Sequence, residues 1–350
     1  MNRQFTIVAC VVCVSSVLLP ACVRQDVGTT GASAARGNVL ALGELTWREI
    51  DALDRARTLF LLTVGMLEEH GPHLPIAAET VGVEFEVGQV ADRLAHALPD
   101  WTIVLMPTIS YGSSGVNQVG NVAVHPGTYA IRHSTLRSLL ADIGGQIAQN
   151  RFKWIAVMTG HGAPTHHAAV NEACDFVSEE FNTTMLNVSG LFSADPTIKA
   201  QGQALAARHF SQADLSSFGM DPHAGVNETS GLLAIRPDLV RADYRSLPSH
   251  RIENRAEMRD MASRLGWPGY FSSPARANAA YGREVEAWWV EGMTDLILQS
   301  VRGTDLHLRP RWPGPVEQDP QYAQFVEHAL RPEREFEQKL QSWLGQPRHR

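Results

Sequence analysis

Three short segments of the chain set histidine close to glycine, and two of them add carboxylates. They are Glu68-Glu69-His70-Gly71-Pro72-His73-Leu74-Pro75, Thr159-Gly160-His161-Gly162, and Asp221-Pro222-His223-Ala224-Gly225-Val226-Asn227-Glu228-Thr229-Ser230. Imidazole nitrogens and carboxylate oxygens together suit Zn²⁺ or Mn²⁺ better than a soft thiolate site would. Glu68 and His70 are two residues apart, so in an extended stretch they point the same way while Glu69 points elsewhere. Gly71, Pro72 and Pro75 fix a tight loop that presents them rigidly. Glu79 follows where the chain turns into a helix. Two histidines in one loop are commonly solvated or capping residues, and Glu228-Thr229-Ser230 alone reads as a helix start. Three such clusters in a chain with 14 histidines favour a metal site.

Other reactive side chains carry less. His73 reads as a loop-fixing donor, and His166 and His167 as polar surface or rim at a helix start. Gly112-Ser113-Ser114-Gly115 resembles an anion-binding turn. No Gly-x-Ser-x-Gly elbow supports a serine nucleophile. Trp288-Trp289 reads as core or subunit contact.

The elements that must position these residues are legible in the apolar pattern. Residues 58–64, 102–106, 154–158 and 185–188 are short apolar runs of buried-strand type, and 81–97, 129–150 and 166–181 have helical spacing. Strand alternating with helix implies a mainly parallel sheet covered on both faces, an α/β fold. Ligands in such sheets bind beyond the carboxyl ends of the strands. The run ending at Val64 leads directly into the Glu68–His70 segment, and the run ending at Met158 leads into the His161 segment. Two strands therefore deliver imidazole and carboxylate to one edge.

Composition narrows the class further. The 350 residues are 44% apolar and 19% charged, a globular composition, and a net charge of −7 argues against nucleic acid as a partner. Residues 1–21 read as a secretory signal: Arg3 is the only charge, residues 5–19 are apolar, and Leu19-Pro20-Ala21-Cys22 follows. That ending resembles a bacterial lipobox, which implies an exported, periplasmic chain held to the membrane only by a lipid on Cys22. Residues 22–41 are small and polar, a flexible tether. Residues 42–300 form one domain, and 301–350 are a C-terminal extension ending in a charged helix at about 321–344. Cys10 and Cys13 fall in the signal, so the remaining thiol, Cys174, is a buried one with no redox role.

The three histidine segments also resemble the signatures of the creatininase (creatinine amidohydrolase) family, namely Glu-Gln-His-Gly-Pro-His-Leu-Pro, Asn-Gly-His-Gly and His-Ala-Gly-x-x-Glu-Thr-Ser. His125-Pro126-Gly127-Thr128 and Gly282 give weaker matches, and the likeness covers residues 45–300 in order. The resemblance implies a three-layer α/β/α sandwich with a mainly parallel sheet, assembled as a homo-oligomer, often a hexamer. It implies two divalent metals per subunit, Zn²⁺ or Mn²⁺ with Fe²⁺ also compatible, and hydrolysis of a small-molecule amide or cyclic amide. By position, Glu68, His70, Glu79 and His161 would be metal ligands, Glu79 standing for a bridging Asp. His223 would be the catalytic acid/base, and Glu228 a ligand or a proton-handling carboxylate. A peptidase acting on a modified peptide, and a non-catalytic metal- or ligand-binding lipoprotein, are the rival readings.

The sequence departs from the family pattern at several points. Thr159 replaces the motif's Asn, Pro164 replaces another, and Val226 stands where Glu is common. Ala163 occupies the position of a glutamate ligand of creatininase proper, for which Glu228 is expected to compensate. Creatinine itself is therefore not the expected substrate. In the implied mechanism a metal lowers the pKa of bound water from about 15.7 to about 7 and polarises the carbonyl. His223 would protonate the leaving nitrogen.

Overall fold

Every residue of Thr58–Val64 is buried, and the alternation of a strand divides them between two cores. Leu59 and Leu61 face one apolar cluster, and Phe60, Leu62 and Val64 the other. This strand, β2, is central to a five-stranded sheet in the computed structural model, which describes residues 38–116, 125–314 and 320–345. The others are β1 (Val39–Ala41), β3 (Thr102–Leu105), β4 (Trp154–Thr159) and β5 (Thr184–Asn187). All neighbouring pairs are parallel, in the order β1-β3-β2-β4-β5.

Helices cover both faces, as a parallel sheet requires. One layer holds α2 (Ala78–Ala97), α5 (Val188–Ser193) and α10 (Ala279–Val301), whose Val83, Leu191 and Met293 pack against Leu61 and Ile103. The opposite layer holds α3 (His133–Gln149) and α4 (Pro164–Phe181), whose Leu136, Leu140 and Val170 pack against Phe60 and Val157. The architecture is the expected three-layer α/β/α sandwich. Cys174 of α4 is buried and unpaired, and burial pushes its thiol well above the ordinary range. Trp288 and Trp289 pack against the first core cluster.

Several boundaries differ from the sequence-based expectation. Val39–Ala41, assigned to the tether, pair with β3 as an edge strand. The helix expected from residue 129 begins at His133, because the preceding backbone is extended and bonded elsewhere. Tyr129 N–H donates to Leu67 O and Ile131 N–H to Gly112 O. Val188, placed in a strand, instead starts α5, capped by the Asn187 side chain. The signal and most of the tether lie outside the described residues.

The described tail wraps the domain. Arg311 makes two bonds to Asp175 of α4, at 2.6 and 2.8 Å. Trp312 donates its backbone N–H to Gly190 O and its ring N–H to Gly162 O, at 2.8 and 3.2 Å. The last helix, α11 (Pro320–Leu344), returns to α3, where Glu333 accepts from the His133 N–H at 2.7 Å.

Candidate metal centre

Two glycines at strand ends let the ligand-bearing segments meet. A Cβ on Gly65, just after β2, would lie 2.3 Å from Thr80 Oγ1, and one on Gly160, just after β4, 2.5 Å from the carbonyl oxygen of Glu79. Both would clash, so only hydrogen at these positions lets the first turn of α2 rest on the carboxyl ends of β2 and β4. That turn carries Glu79. The chain between β2 and α2 folds back on itself, Glu68 N–H donating to Ile76 O at 2.8 Å, and this brings Glu68 and His70 beside Glu79.

The site residues named from the sequence converge. Glu68, Glu79 and His161 offer ligand atoms within 4.8 Å of one another, as do His70, Glu79 and Glu228, and also Glu68, His70 and His223. His161 Nδ1 is 2.8 Å from Glu79 Oε1 and 3.3 Å from Glu68 Oε2, and His70 Nε2 is 3.5 Å from Glu228 Oε2. Each imidazole is aimed by its other nitrogen: His70 Nδ1 donates to Glu68 O at 2.9 Å, and His161 Nε2 to Ser114 O at 3.3 Å. A donor bond to a backbone carbonyl fixes the tautomer and leaves the opposite lone pair for a metal. His223 Nε2 donates to Glu69 O at 2.7 Å, and its ring lies 4.4 Å from that of His70.

Electrostatics favour a cation here. Glu68 and Glu79 are buried, and burial raises both carboxyls well above their ordinary range; burial likewise raises Glu228 to about 7. Burial also lowers His70, and lowers His223 well below its ordinary value, so both imidazoles are neutral at pH 7. Glu68 Oε2, Glu79 Oε2 and His70 Nε2 have no hydrogen-bond partner among the described residues although they are closed to solvent there. Three carboxyls sharing one pocket with neutral imidazoles are costly without compensation. A divalent metal supplies that compensation and fits the nitrogen and oxygen donor set.

Several neighbours differ from expectation. No donor of the Gly112–Gly115 turn is seen on an anion among the described residues; Val116 N–H just beyond it donates to Glu68 Oε1. Gly112 packs on His166, whose Nδ1 accepts from Ser113 N–H at 3.2 Å. His166 and His167 are therefore buried rather than rim residues. His166 Nε2 donates to Thr159 Oγ1 at 2.8 Å, the hydroxyl that also accepts from His161 N–H, while His167 accepts from Asn187. Because the helix begins at Pro164, its first turn carries both rings under the strand ends. His73 fixes the loop as expected, its Nε2 lying 2.9 Å from Thr229 Oγ1. Glu69 turns away from the centre, bonding to Gly71 N–H, yet is buried too.

A cavity of about 1110 Å³ opens over the centre, lined by His70, Glu79, His161 and Glu228. Sequence reasoning missed Glu86 and Glu286 on its wall. Each lies in a helix two residues after another glutamate, Glu84 or Glu284, with no histidine beside it to mark it.

A parallel α/β sandwich that gathers histidines and carboxylates beyond its strand ends around a cavity defines a class, the metal-centred hydrolases of this architecture. More narrowly, the chain belongs to the creatininase family, whose creatinine amidohydrolase model matches residues 43–297. It is similar to a mycofactocin precursor peptide peptidase of Mycobacterium ulcerans (strain Agy99), 29% identical over 78% of this chain and 98% of that protein. It is also similar to a creatinine amidohydrolase of Pseudomonas putida, 27% identical over 73% of this chain and 95% of that one. A solved creatinine amidohydrolase (creatininase) matches with a TM-score of 0.55 and 25% identity, covering 75% of this chain and 98% of that structure.

Proposed function

We propose that this creatininase-family hydrolase cleaves a non-peptide amide or cyclic amide of a small molecule at a divalent metal centre. Glu68, His70, Glu79, His161 and Glu228 would be the ligands. The observation that carries the reading is the set of orphaned, shielded ligand atoms gathered in one cluster, Glu68 Oε2, Glu79 Oε2 and His70 Nε2, of which Glu79 and His70 also line the cavity. A metal bound there would polarise a carbonyl and make water a nucleophile near neutral pH. Two metals per subunit remain the proposed number. The relatives support zinc or manganese, since matching creatininase structures are described as an Mn form and a Zn-Zn type.

The chain's own residues supply the rest. His223 donates through Nε2 to Glu69 O, so its Nδ1 is the free position, and a neutral imidazole there can take a proton from water and return it to the leaving nitrogen. Glu228 accepts from Ala224 N–H at 2.5 Å, a bond that holds its carboxylate beside His70. Replacing His223 with Ala should abolish hydrolysis across a panel of lactams, formamides and short amides while leaving bound metal unchanged. Loss of metal would instead make His223 a ligand, a role its proximity to Glu68 and His70 makes geometrically open.

A second reading, a peptidase acting on a modified peptide, is favoured by two observations. One is the name of the mycobacterial relative, and the other is a cavity of about 1110 Å³, roomy enough for a peptide end. Including peptides with modified termini in the panel separates the two. Export, anchoring through Cys22 and self-assembly belong to the same proposal. Metabolic labelling with a fatty-acid analogue, lost in Cys22→Ser, and the mass of the purified protein in solution test them.

A further inference from the structure

Beneath the strand ends, five residues close a ring of hydrogen bonds on His161: Thr159, His166, Ser113, Ser114 and His161 itself. The Thr159 hydroxyl accepts from His161 N–H at 3.2 Å and from His166 Nε2–H at 2.8 Å. On the other edge of its ring, His166 Nδ1 accepts from Ser113 N–H at 3.2 Å, which leaves the ring proton on Nε2. The next residue, Ser114, offers its carbonyl to His161 Nε2–H at 3.3 Å. Both the backbone and the ring of His161 are held, and both holds return to His166. Two residues farther along the same loop, Val116 N–H donates to Glu68 Oε1, so the loop that His166 anchors also touches a second ligand-bearing side chain.

We propose that His166, in the first turn of α4, is a positioning residue that sets the place and ring orientation of His161 for the metal, a role that rests on the metal-centre reading. His166 is fully buried, and a buried imidazole is costly unless both nitrogens find partners. Both do, and each partner lies in a segment that carries or touches a ligand-bearing side chain. Ser114 has φ +65°, a left-handed backbone that serine adopts only at a cost, although glycines stand nearby at 112 and 115. This strained residue is the one whose carbonyl receives the His161 ring. Its hydroxyl is tied to Thr165 Oγ1, the neighbour of His166 in α4. Gly112 lets the loop come close, since a Cβ there would lie 2.9 Å from His166 Nδ1. An apolar side chain at 166 would fill the space and make none of these bonds.

The test reads Thr159→Val, Thr159→Ala and His166→Leu, whichever of them fold, against Thr159→Ser, which keeps the hydroxyl. Zinc affinity is measured by competition with a chromophoric chelator, and the visible absorption of the Co²⁺-substituted protein reports how the ligands sit around the metal. Variants without the hydroxyl or the imidazole should bind zinc about ten- to a hundred-fold more weakly and show a displaced cobalt band, while Thr159→Ser stays within about three-fold of the parent and keeps its band. A ring that only supported the core would lower the unfolding midpoint and leave the band of the folded protein where it was. An unchanged cobalt band in the folded variants therefore overturns the proposal, whatever their zinc affinity. So does a loss in Thr159→Ser equal to that in Thr159→Val, and so does failure of all three variants to fold while Thr159→Ser folds, which would make the ring part of the core. A parent protein that binds neither zinc nor cobalt sinks the metal-centre reading and this role with it, whereas a parent that binds both and variants that match it sink the role of His166 alone.

Discussion

Glu79 Oε1 lies 2.8 Å from His161 Nδ1, although 82 residues of chain separate them. The contact exists because α2 begins directly on the ends of β2 and β4, so a helix first turn and a strand-end loop face each other. Glu79 stands where the resemblance implies an Asp, and its longer side chain reaches the His161 ring. Glu79→Ala should weaken zinc binding by at least about ten- to a hundred-fold, the loss seen even when an outer partner of a metal ligand is removed. Competition against a chromophoric chelator measures this. Unchanged affinity would remove Glu79 from the centre.

The approach of these segments depends on Gly160. Its Cβ would meet the Glu79 carbonyl at 2.5 Å, and backbone cannot swing aside as a flexible side chain can. Gly160→Ala should destabilise the protein by about 1–3 kcal/mol, the usual cost of overpacking, and lower metal affinity in parallel. Gly162→Ala, with nothing within 4 Å of its Cβ, is the matched control for urea unfolding.

His73 gives the stability a pH dependence that can be isolated. Burial first, and His70 nearby second, lower its pKa from 6.5 to about 4, so the folded state keeps it neutral where the unfolded chain is already protonated. Its contribution is therefore fully present above pH 6.5 and is lost as pH falls toward 4. The stability advantage of the parent over His73→Gln should be constant above pH 7. It should shrink below 6.5 at up to about 1.4 kcal/mol per pH unit. A difference that grows on acidification would contradict the buried, neutral assignment.

The C-terminal segment reaches the metal loop. Trp312 bonds to Gly162 O, one residue past His161, and Arg311 holds the segment to α4 through Asp175. Arg311→Ala should cost roughly 1.5–3 kcal/mol of stability, the range for hydrogen bonds to charged groups. Trp312→Ala should weaken metal binding more than its effect on global unfolding explains. If both variants match the parent in thermal melts and zinc affinity, the segment is a passive appendage.

Much of the site was legible before the fold. Glu68, His70, His161, His223 and Glu228 sit in short motifs where glycine and proline shape the local backbone, so type and spacing alone mark them. The strands were legible because a parallel sheet buries both faces and leaves continuous apolar runs such as residues 58–64. His166 was misjudged because two histidines at a helix start look polar in isolation. Only the packing of α4 under the strand ends, against Gly112, encloses them. The helix start at 129 was misjudged because Tyr129 and Ile131 bond to distant loop carbonyls, and such competition has no local signature.

The sequence by itself determined the α/β rhythm, the donor chemistry of the centre and the strand ends that carry it, since these follow from periodicity and from residue types a few positions apart. Tertiary structure alone decided which carboxyls meet which imidazoles: Glu79 with His161, and Glu228 with His70. Those pairings join segments 82 and 158 residues apart, and their energies depend on burial and distance, quantities that exist only once the helices have packed on the sheet.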